Sequence, residues 1–469
     1  MYKRNILFIL LLFIVCLPTS GLTKTNYQNR LRSLVPPEAR GNGKLGVYVK
    51  SLNTGKVLFE YNPNKNFIPA SNNKVISSFA ALSLLGKNYR FKTEFYTGGE
   101  LNKGTLFGGL YVKAYGDPSI TTDDLILIVR ELKRKGIKRI KGDIYFDDSY
   151  FDNVNYGKGW KKAWRGDYYC PPIGAFSLNY NTIDVTVTPR KRWESPIVEI
   201  TPAAYIPNIN NTAQSSKFKS KLIVGQDSSG DEIFIKGKIN VKSRPQKYTI
   251  SVLNPVSYFG LVFRNLLVLE GIEFDGQIRK KQTPPWATVF YTHKSKPLHE
   301  IVNDFNKDSV NIIGEAIVKT LGAKYVGTPG SWENGSYVIS KFIKDSGMGN
   351  EIVLADGSGL SRYNRVSPKV LANVLSNAYK KSDFSNEYMN SLPVAGVDGT
   401  LKKRFRRSKI KGKVAAKTGY LNGVRALSGY VFARDGDILV FSVISNGLGW
   451  KAKTFQNELL MELVDCCSS

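Results

Sequence analysis

Pro69-Ala70-Ser71-Asn72-Asn73-Lys74-Val75-Ile76-Ser77-Ser78-Phe79-Ala80-Ala81-Leu82-Ser83-Leu84-Leu85-Gly86 is the stretch around which the rest of the chain is organised. Ser71 and Lys74 are three positions apart, so a helix places them on one face, one turn apart. Pro69-Ala70 interrupts the preceding chain, Ala80 to Leu85 continue an apolar helix, and Gly86 supplies a stop. A serine hydroxyl then lies near the positive end of a buried helix with an amine beside it. That geometry suits a serine nucleophile whose base is lysine.

The spacing alone is common. Ser216 with Lys219 and Ser408 with Lys411 repeat it, both in basic stretches with no apolar helix behind them. What distinguishes Ser71 is its company: Ser309-Val310-Asn311, and Lys417-Thr418-Gly419, the only Lys-Thr-Gly in the chain. The three elements stand in the order used by penicillin-binding enzymes.

The first 21 residues have the form of a secretory signal: Lys3 and Arg4, an apolar run of 12 residues from Ile6 to Leu17, then Thr19-Ser20-Gly21. The run is shorter than the ~20 residues a spanning helix needs. An exported protein, periplasmic or extracellular and soluble after cleavage, is expected. The formal charge is +29, which favours anionic surroundings such as wall polymers or acidic lipid. Export argues against a nucleic-acid partner, and loose association with wall or membrane surfaces is the expected use of the charge. Cys170, Cys466 and Cys467 remain after cleavage, an odd number that fixes no pairing. With only His293 and His299 in the chain and scattered cysteines, neither a metal site nor any cofactor is expected.

Both chain ends carry the pattern of one α/β domain. Residues 45–49 and 57–61 flank an Asn53-Thr54-Gly55 turn, and 414–420, 426–432 and 438–444 form strands, the last two joined by Arg434-Asp435-Gly436-Asp437. An amphipathic helix over 454–464 closes the chain. From Ser71 to Ser309 is 238 residues, more than a compact enzyme of this chemistry needs, so something is inserted. Within it, Thr121-Thr122-Asp123-Asp124 caps a helix ended by Gly136, Gly142-Asp143-Ile144-Tyr145-Phe146-Asp147 forms a strand, 181–248 is polar and strand-rich, and 257–271 is helical.

These residues, with Gly116-Asp117-Pro118-Ser119, Asp148-Ser149-Tyr150-Phe151-Asp152, Ser177-Leu178-Asn179-Tyr180-Asn181, Asp356-Gly357-Ser358-Gly359-Leu360-Ser361-Arg362-Tyr363-Asn364 and Leu392-Pro393-Val394-Ala395-Gly396-Val397-Asp398-Gly399-Thr400-Leu401, carry a resemblance over the whole mature chain. It resembles the low-molecular-mass class C penicillin-binding proteins, D-alanyl-D-alanine carboxypeptidases/endopeptidases of peptidase family S13. The resemblance implies an α/β fold: a three-layer α-β-α transpeptidase/β-lactamase-like catalytic domain with nested inserted domains of α+β and mostly-β type. The expected divisions are signal 1–21, catalytic 22–91 and 287–469, a second domain 92–180 and 249–286, and a third 181–248. It also implies a peptidoglycan stem peptide as substrate and β-lactams as covalent inhibitors. Ser71 is then the nucleophile and Lys74 its base, held neutral by burial and by Lys417. Ser309 relays the proton to the leaving amine and Asn311 bonds Lys74 and substrate. Lys417 and Thr418 bind the terminal carboxylate, Gly419 keeps the edge strand open, and the backbone of Ser71 and Tyr420 forms the oxyanion hole. Asp356 to Asn364 are expected at the rim of the cleft.

Tyr420 departs from the family, which usually has Ser or Thr after Lys-Thr-Gly, and so removes a short hydroxyl from the carboxylate site. Trp160, Trp164, Asp167, Tyr168 and Tyr169 fall where the family contacts a substrate side chain. Asp167 suits the free amine of a diamino acid, and an aromatic packing cluster is the equal alternative. Two other functions stand beside the peptidase: a β-lactamase, for which no deacylating base is identifiable, and a non-catalytic wall-binding scaffold.

Overall fold

The structure, a computed structural model, describes residues 20–230 and 232–465, with side chains from Tyr27 onward. All but Ser20 and Gly21 of the expected signal, and both Cys466 and Cys467, lie outside the described residues. Five antiparallel strands form the central sheet in the order Val414–Leu421, Val424–Phe432, Ile438–Asn446, Leu45–Ser51, Val57–Tyr61. Alternation along them decides the layers. Leu45, Val47, Val49, Leu439, Phe441 and Val443 face the last helix, Trp450–Val464, together with Leu31 of the helix Ser20–Ser33. Tyr48, Tyr430, Val440 and Ile444 face the other way, into a core with the helices Asn73–Leu85, Leu298–Lys307, Asn311–Tyr325, Trp332–Asp345 and Pro368–Lys380. This is a three-layer α-β-α arrangement, and the Lys417 strand is its edge. The last helix begins at Trp450 rather than 454, because Gly449 at φ +56° breaks the chain just before it.

The intervening chain builds a second core. Its main sheet runs Ile278–Lys280, Ile144–Asp147, Leu110–Ala114, Lys92–Thr97, Thr288–Lys294, backed by helices Thr122–Arg134 and Pro255–Leu269. Thr121 and Asp124 cap the first helix reciprocally. The strand Thr288–Lys294 lies past residue 286 and pairs with Lys92–Thr97. Entry and exit of the inserted chain are therefore hydrogen-bonded to each other. The polar segment forms two small sheets around Thr182–Thr188 and Glu232–Asn240, and Ile183, Val185, Ile233 and Ile235 join the same core. Among the described residues no helix is long and apolar enough to cross a membrane.

Loops of the insertion grip the helical layer. Asp152 pairs with the fully buried Lys319 at 2.5 Å, Ser361 Oγ donates to the Lys158 carbonyl at 2.6 Å, and Trp160 Nε1 donates to Asp356 Oδ2 at 2.8 Å.

Candidate active site

Ala70 to Asn72 form a single 3-10 turn that runs into the helix Asn73–Leu85. Ala70 holds φ +48°, an uncommon conformation for a residue with a side chain, and it sets up the turn that presents Ser71. Gly359, at φ +86°, lies so close that a Cβ there would be 1.9 Å from the Ala70 carbonyl oxygen. The turn is thus wedged from behind by the segment Asp356 to Asn364. Its polar members Asp356, Ser358, Ser361 and Asn364 are fully buried. They do not form the rim of the cleft, as expected from sequence, but its foundation. The reason is that Asp356 satisfies four donors, the amides of Gly359 and Ser361 and the side chains of Asn364 and Trp160, which closes the loop on itself.

Lys74 is fully buried, and its Nζ meets three oxygens: Asn311 Oδ1 at 2.7 Å, the Ser358 carbonyl at 2.8 Å and Ser71 Oγ at 3.3 Å. Burial lowers its pKa to about 7, opposed by the carboxylates of Glu315 and Asp356, which favour the charged amine. Lys417 is also fully buried, and burial together with Lys74 holds it well below the ordinary lysine range. The expected action of Lys417 on Lys74 therefore appears on the opposite partner. Lys74 has two carboxylates to offset a neighbouring cation, whereas Lys417 has only Asp308.

Glu315 was not legible as a functional residue. It is fully buried, accepts from Trp332 Nε1 at 2.8 Å and from the amides of Gly357 and Ser358 at 2.8 and 2.9 Å, and is raised by burial and by Asp356. The signal was present: it is the lone acid within Ile312-Ile313-Gly314-Glu315-Ala316-Ile317-Val318, one helical turn from Asn311. It fixes the loop whose Ser358 carbonyl holds Lys74.

Ser309 lies at φ +61° between the helices Leu298–Lys307 and Asn311–Tyr325, with its hydroxyl unbonded among the described residues. Asn311 spends its amide on the Tyr169 carbonyl, Nδ2 to O 2.7 Å, so the inserted segment orients it. The edge strand is held to the Ser71 turn by Asn72 Nδ2, which donates to the Lys417 carbonyl at 2.9 Å. A Cβ on Gly419 would stand 2.8 Å from the Pro69 carbonyl oxygen and 3.1 Å from Asn72 Nδ2. Only glycine lets strand and turn approach this closely. The Tyr420 ring is exposed and carries the Arg425 guanidinium 4.1 Å from its centre.

Asp167 is exposed and accepts from Tyr169 Oη at 2.7 Å, two residues from the carbonyl that orients Asn311. Trp160 packs at 5.9 Å against Trp332, and Trp164 at 6.3 Å against Tyr169, two separate aromatic contacts. His293 sits in the inserted sheet opposite Thr93, and His299 Nδ1 lies 3.2 Å from the Lys87 carbonyl. Neither contacts Ser71.

A peptidase family profile spans residues 29–464. The chain belongs to the D-Ala-D-Ala carboxypeptidase 3 (S13) family. Membership makes it a serine-type hydrolase of the D-alanyl-D-alanine carboxypeptidase class. It is 30% identical over 420 residues to the D-alanyl-D-alanine carboxypeptidase DacB of Haemophilus influenzae, covering 86% of this chain and 85% of the relative. The crystal structure of penicillin binding protein 4 from that organism superimposes with a TM-score of 0.79 at 28% identity, covering 92% of this chain and 99% of the other. The same S13 relative, solved in complex with a β-lactam, superimposes with a TM-score of 0.75 at 28% identity and the same coverage.

Proposed function

We propose that Ser71 is the nucleophile, with Lys74 as its base, in cleavage of the D-Ala-D-Ala bond of peptidoglycan stem peptides. The observation that carries this is the Lys74 amine and the three oxygens around it. A neutral amine has two hydrogens and one lone pair. The hydrogens go to Asn311 Oδ1 and the Ser358 carbonyl, and the lone pair faces the Ser71 hydroxyl across the longest of the three contacts, 3.3 Å. Lys74 then takes the Ser71 proton as Oγ bonds the carbonyl carbon. The amides of Ser71 and Tyr420 stabilise the oxyanion, each such donor being worth about 3–4 kcal/mol. The C–N bond breaks, the leaving amine takes its proton through Ser309, and water attacks the acyl-enzyme by the reverse path. Asn311 orients substrate and base, while Lys417, Thr418 and Gly419 line the strand along which the peptide lies. A β-lactam follows the same first step, its ring amide standing in for the peptide bond.

Asp167 is proposed to meet the free amine of a diamino acid, because it is exposed on the segment whose Tyr169 carbonyl orients Asn311. Trimming of the terminal residue and cutting of cross-links are both assigned to this site. We further propose the nested division into catalytic, second and third domains, with the insertion carried to Lys294 by the pairing of Thr288–Lys294 with Lys92–Thr97. The signal-like N-terminus and basic charge support a location outside the cytoplasm, near the wall.

The test is intact mass after incubation with benzylpenicillin, with Ser71→Ala as control. A stable adduct absent from the variant establishes the nucleophile. No adduct with the antibiotic intact would overturn the reading in favour of a scaffold. No adduct with the antibiotic hydrolysed would make the protein a β-lactamase.

A further inference from the structure

Ser309 is not held by its own side chain. Its hydroxyl has no partner among the described residues, and its φ of +61° is one that a residue with a side chain seldom adopts. Such a backbone persists only where its surroundings fix it. The surroundings that do so come from the segment 392–401. Lys307, two residues before Ser309, ends the helix Leu298–Lys307. Its Nζ donates to Asp398 Oδ2 at 2.6 Å and to the Leu392 carbonyl at 2.7 Å. Asp398 Oδ1 accepts from the Val394 amide at 2.7 Å, which closes the segment into a turn. Gly399, at φ +52°, brings that turn so near that a Cβ there would stand 2.7 Å from the Lys307 carbonyl oxygen.

The same stretch is bonded to the other two catalytic motifs. The Pro393 carbonyl accepts from the Ala416 amide at 2.8 Å, and the Ala395 amide donates to the Val414 carbonyl at 2.9 Å. Thr400 Oγ1 lies 2.8 Å from Thr418 Oγ1. Just upstream, Tyr388 Oη in the helix Ser385–Ser391 donates to the carbonyl of Val75, the neighbour of Lys74, at 2.9 Å. Residues 388–400 therefore touch the helix of Lys74, the approach to Ser309 and the strand of Lys417. Of these links only Lys307 to Asp398 is an ion pair.

We propose that Lys307 and Asp398 form a latch that sets where the Ser309 hydroxyl stands, which makes both of them positioning residues for the proton given to the leaving amine. The proposal rests on the relay assigned to Ser309 above. Both residues act through the backbone of 307–309 and not on the substrate. With the latch open, the turn is free to relax from its positive φ, and the hydroxyl moves with it. The loss then falls on the step that needs a delivered proton. An amine must be protonated to depart, whereas a thiol departs as its thiolate.

The experiment compares kcat/KM, which reports acylation, on two substrates with the same acyl group. One is a D-Ala-D-Ala peptide, and the other is the thioester in which a thiol replaces the terminal D-Ala. The enzymes are the full-length wild type, Asp398→Asn, Lys307→Gln and Lys307→Arg, with Ser309→Ala as the reference. Asp398→Asn and Lys307→Gln are expected to lose about 10- to 100-fold on the peptide and to stay within about twofold on the thioester. Lys307→Arg, which keeps the charge, is expected to recover most of that loss. Retained thioester turnover shows that Ser71 and Lys74 are still assembled. Where Ser309→Ala discriminates between the substrates but Asp398→Asn and Lys307→Gln lose equally on both, or lose nothing, the latch is overturned and the relay stands. Where Ser309→Ala itself loses equally on both, the relay reading falls and the latch falls with it.

Discussion

In the mechanism proposed above, Lys74 is the residue on which the rate turns, because its neutral form is the base. Its pKa is lowered to about 7, so the neutral fraction grows as pH rises through that value. Acylation by benzylpenicillin is expected to show an ascending limb centred near pH 7, measured by stopped-flow between pH 5.5 and 8.5. Glu315 favours the charged amine, so Glu315→Gln is expected to move the limb to lower pH. A limb that stays in place in the variant would remove Glu315 from the electrostatics of the base. At this scale the sequence was informative where chemistry is local. Ser71, Lys74, Asn311 and Lys417 stand in short motifs, and the structure brings them together. Glu315 was not legible, because it acts on a loop 42 residues further along the chain.

The Ser71 turn is an element held in place by two glycines, one behind it and one beside it. Gly359 cannot accept a side chain without moving the Ala70 carbonyl, since its Cβ would lie 1.9 Å away at a φ that disfavours alanine. Gly359→Ala is expected to cost more than ~1 kcal/mol in stability and to slow acylation sharply. Chemical denaturation and the penicillin acylation rate measure the two. A variant that melts as wild type and acylates at the wild-type rate would show that the turn does not depend on this wedge. The strands at 45–49, 57–61 and 414–444 were readable because alternation is strong where one sheet separates two apolar layers. Burial of Asp356, Ser358, Ser361 and Asn364 was not, because a run rich in Gly, Ser, Asp and Asn has the composition of an exposed loop. Its internal hydrogen bonds to Asp356, together with the Glu315 carboxylate on the Gly357 and Ser358 amides, allow it inside.

Across the whole molecule, the insertion acts as a clasp over the helical layer. Its tightest contact joins Asp152, with 23% of its side chain exposed, to Lys319, with none. Asp152→Ala leaves that ammonium buried without a counter-ion, and breaking such a pair costs about 3 kcal/mol. Lys319→Met, which removes the charge itself, is expected to cost less. Urea midpoints of the two variants decide it, and equal losses would mean that the pair contributes packing only. In sequence, the long interval between Ser71 and Ser309 is what suggests an insertion. Its closure by Thr288–Lys294 was not legible, because strand pairing over nearly two hundred residues leaves no local pattern.

In the central sheet, Leu45 pairs with Ser445, 400 positions later. Synthesis is vectorial, so the first strand exists long before its neighbour leaves the ribosome. Until then its edge is open, and the strands Val414–Leu421 and Val424–Phe432 are not joined to it through Ile438–Asn446. Such distant pairings make for slow folding, and they tie completion of the catalytic cleft to completion of the polypeptide. A nascent or C-terminally clipped chain would carry Ser71 and Lys74 without the strand that positions a substrate against them. The molecule is therefore a peptidase only as a finished chain, an arrangement that keeps a wall-cutting activity silent throughout its own manufacture.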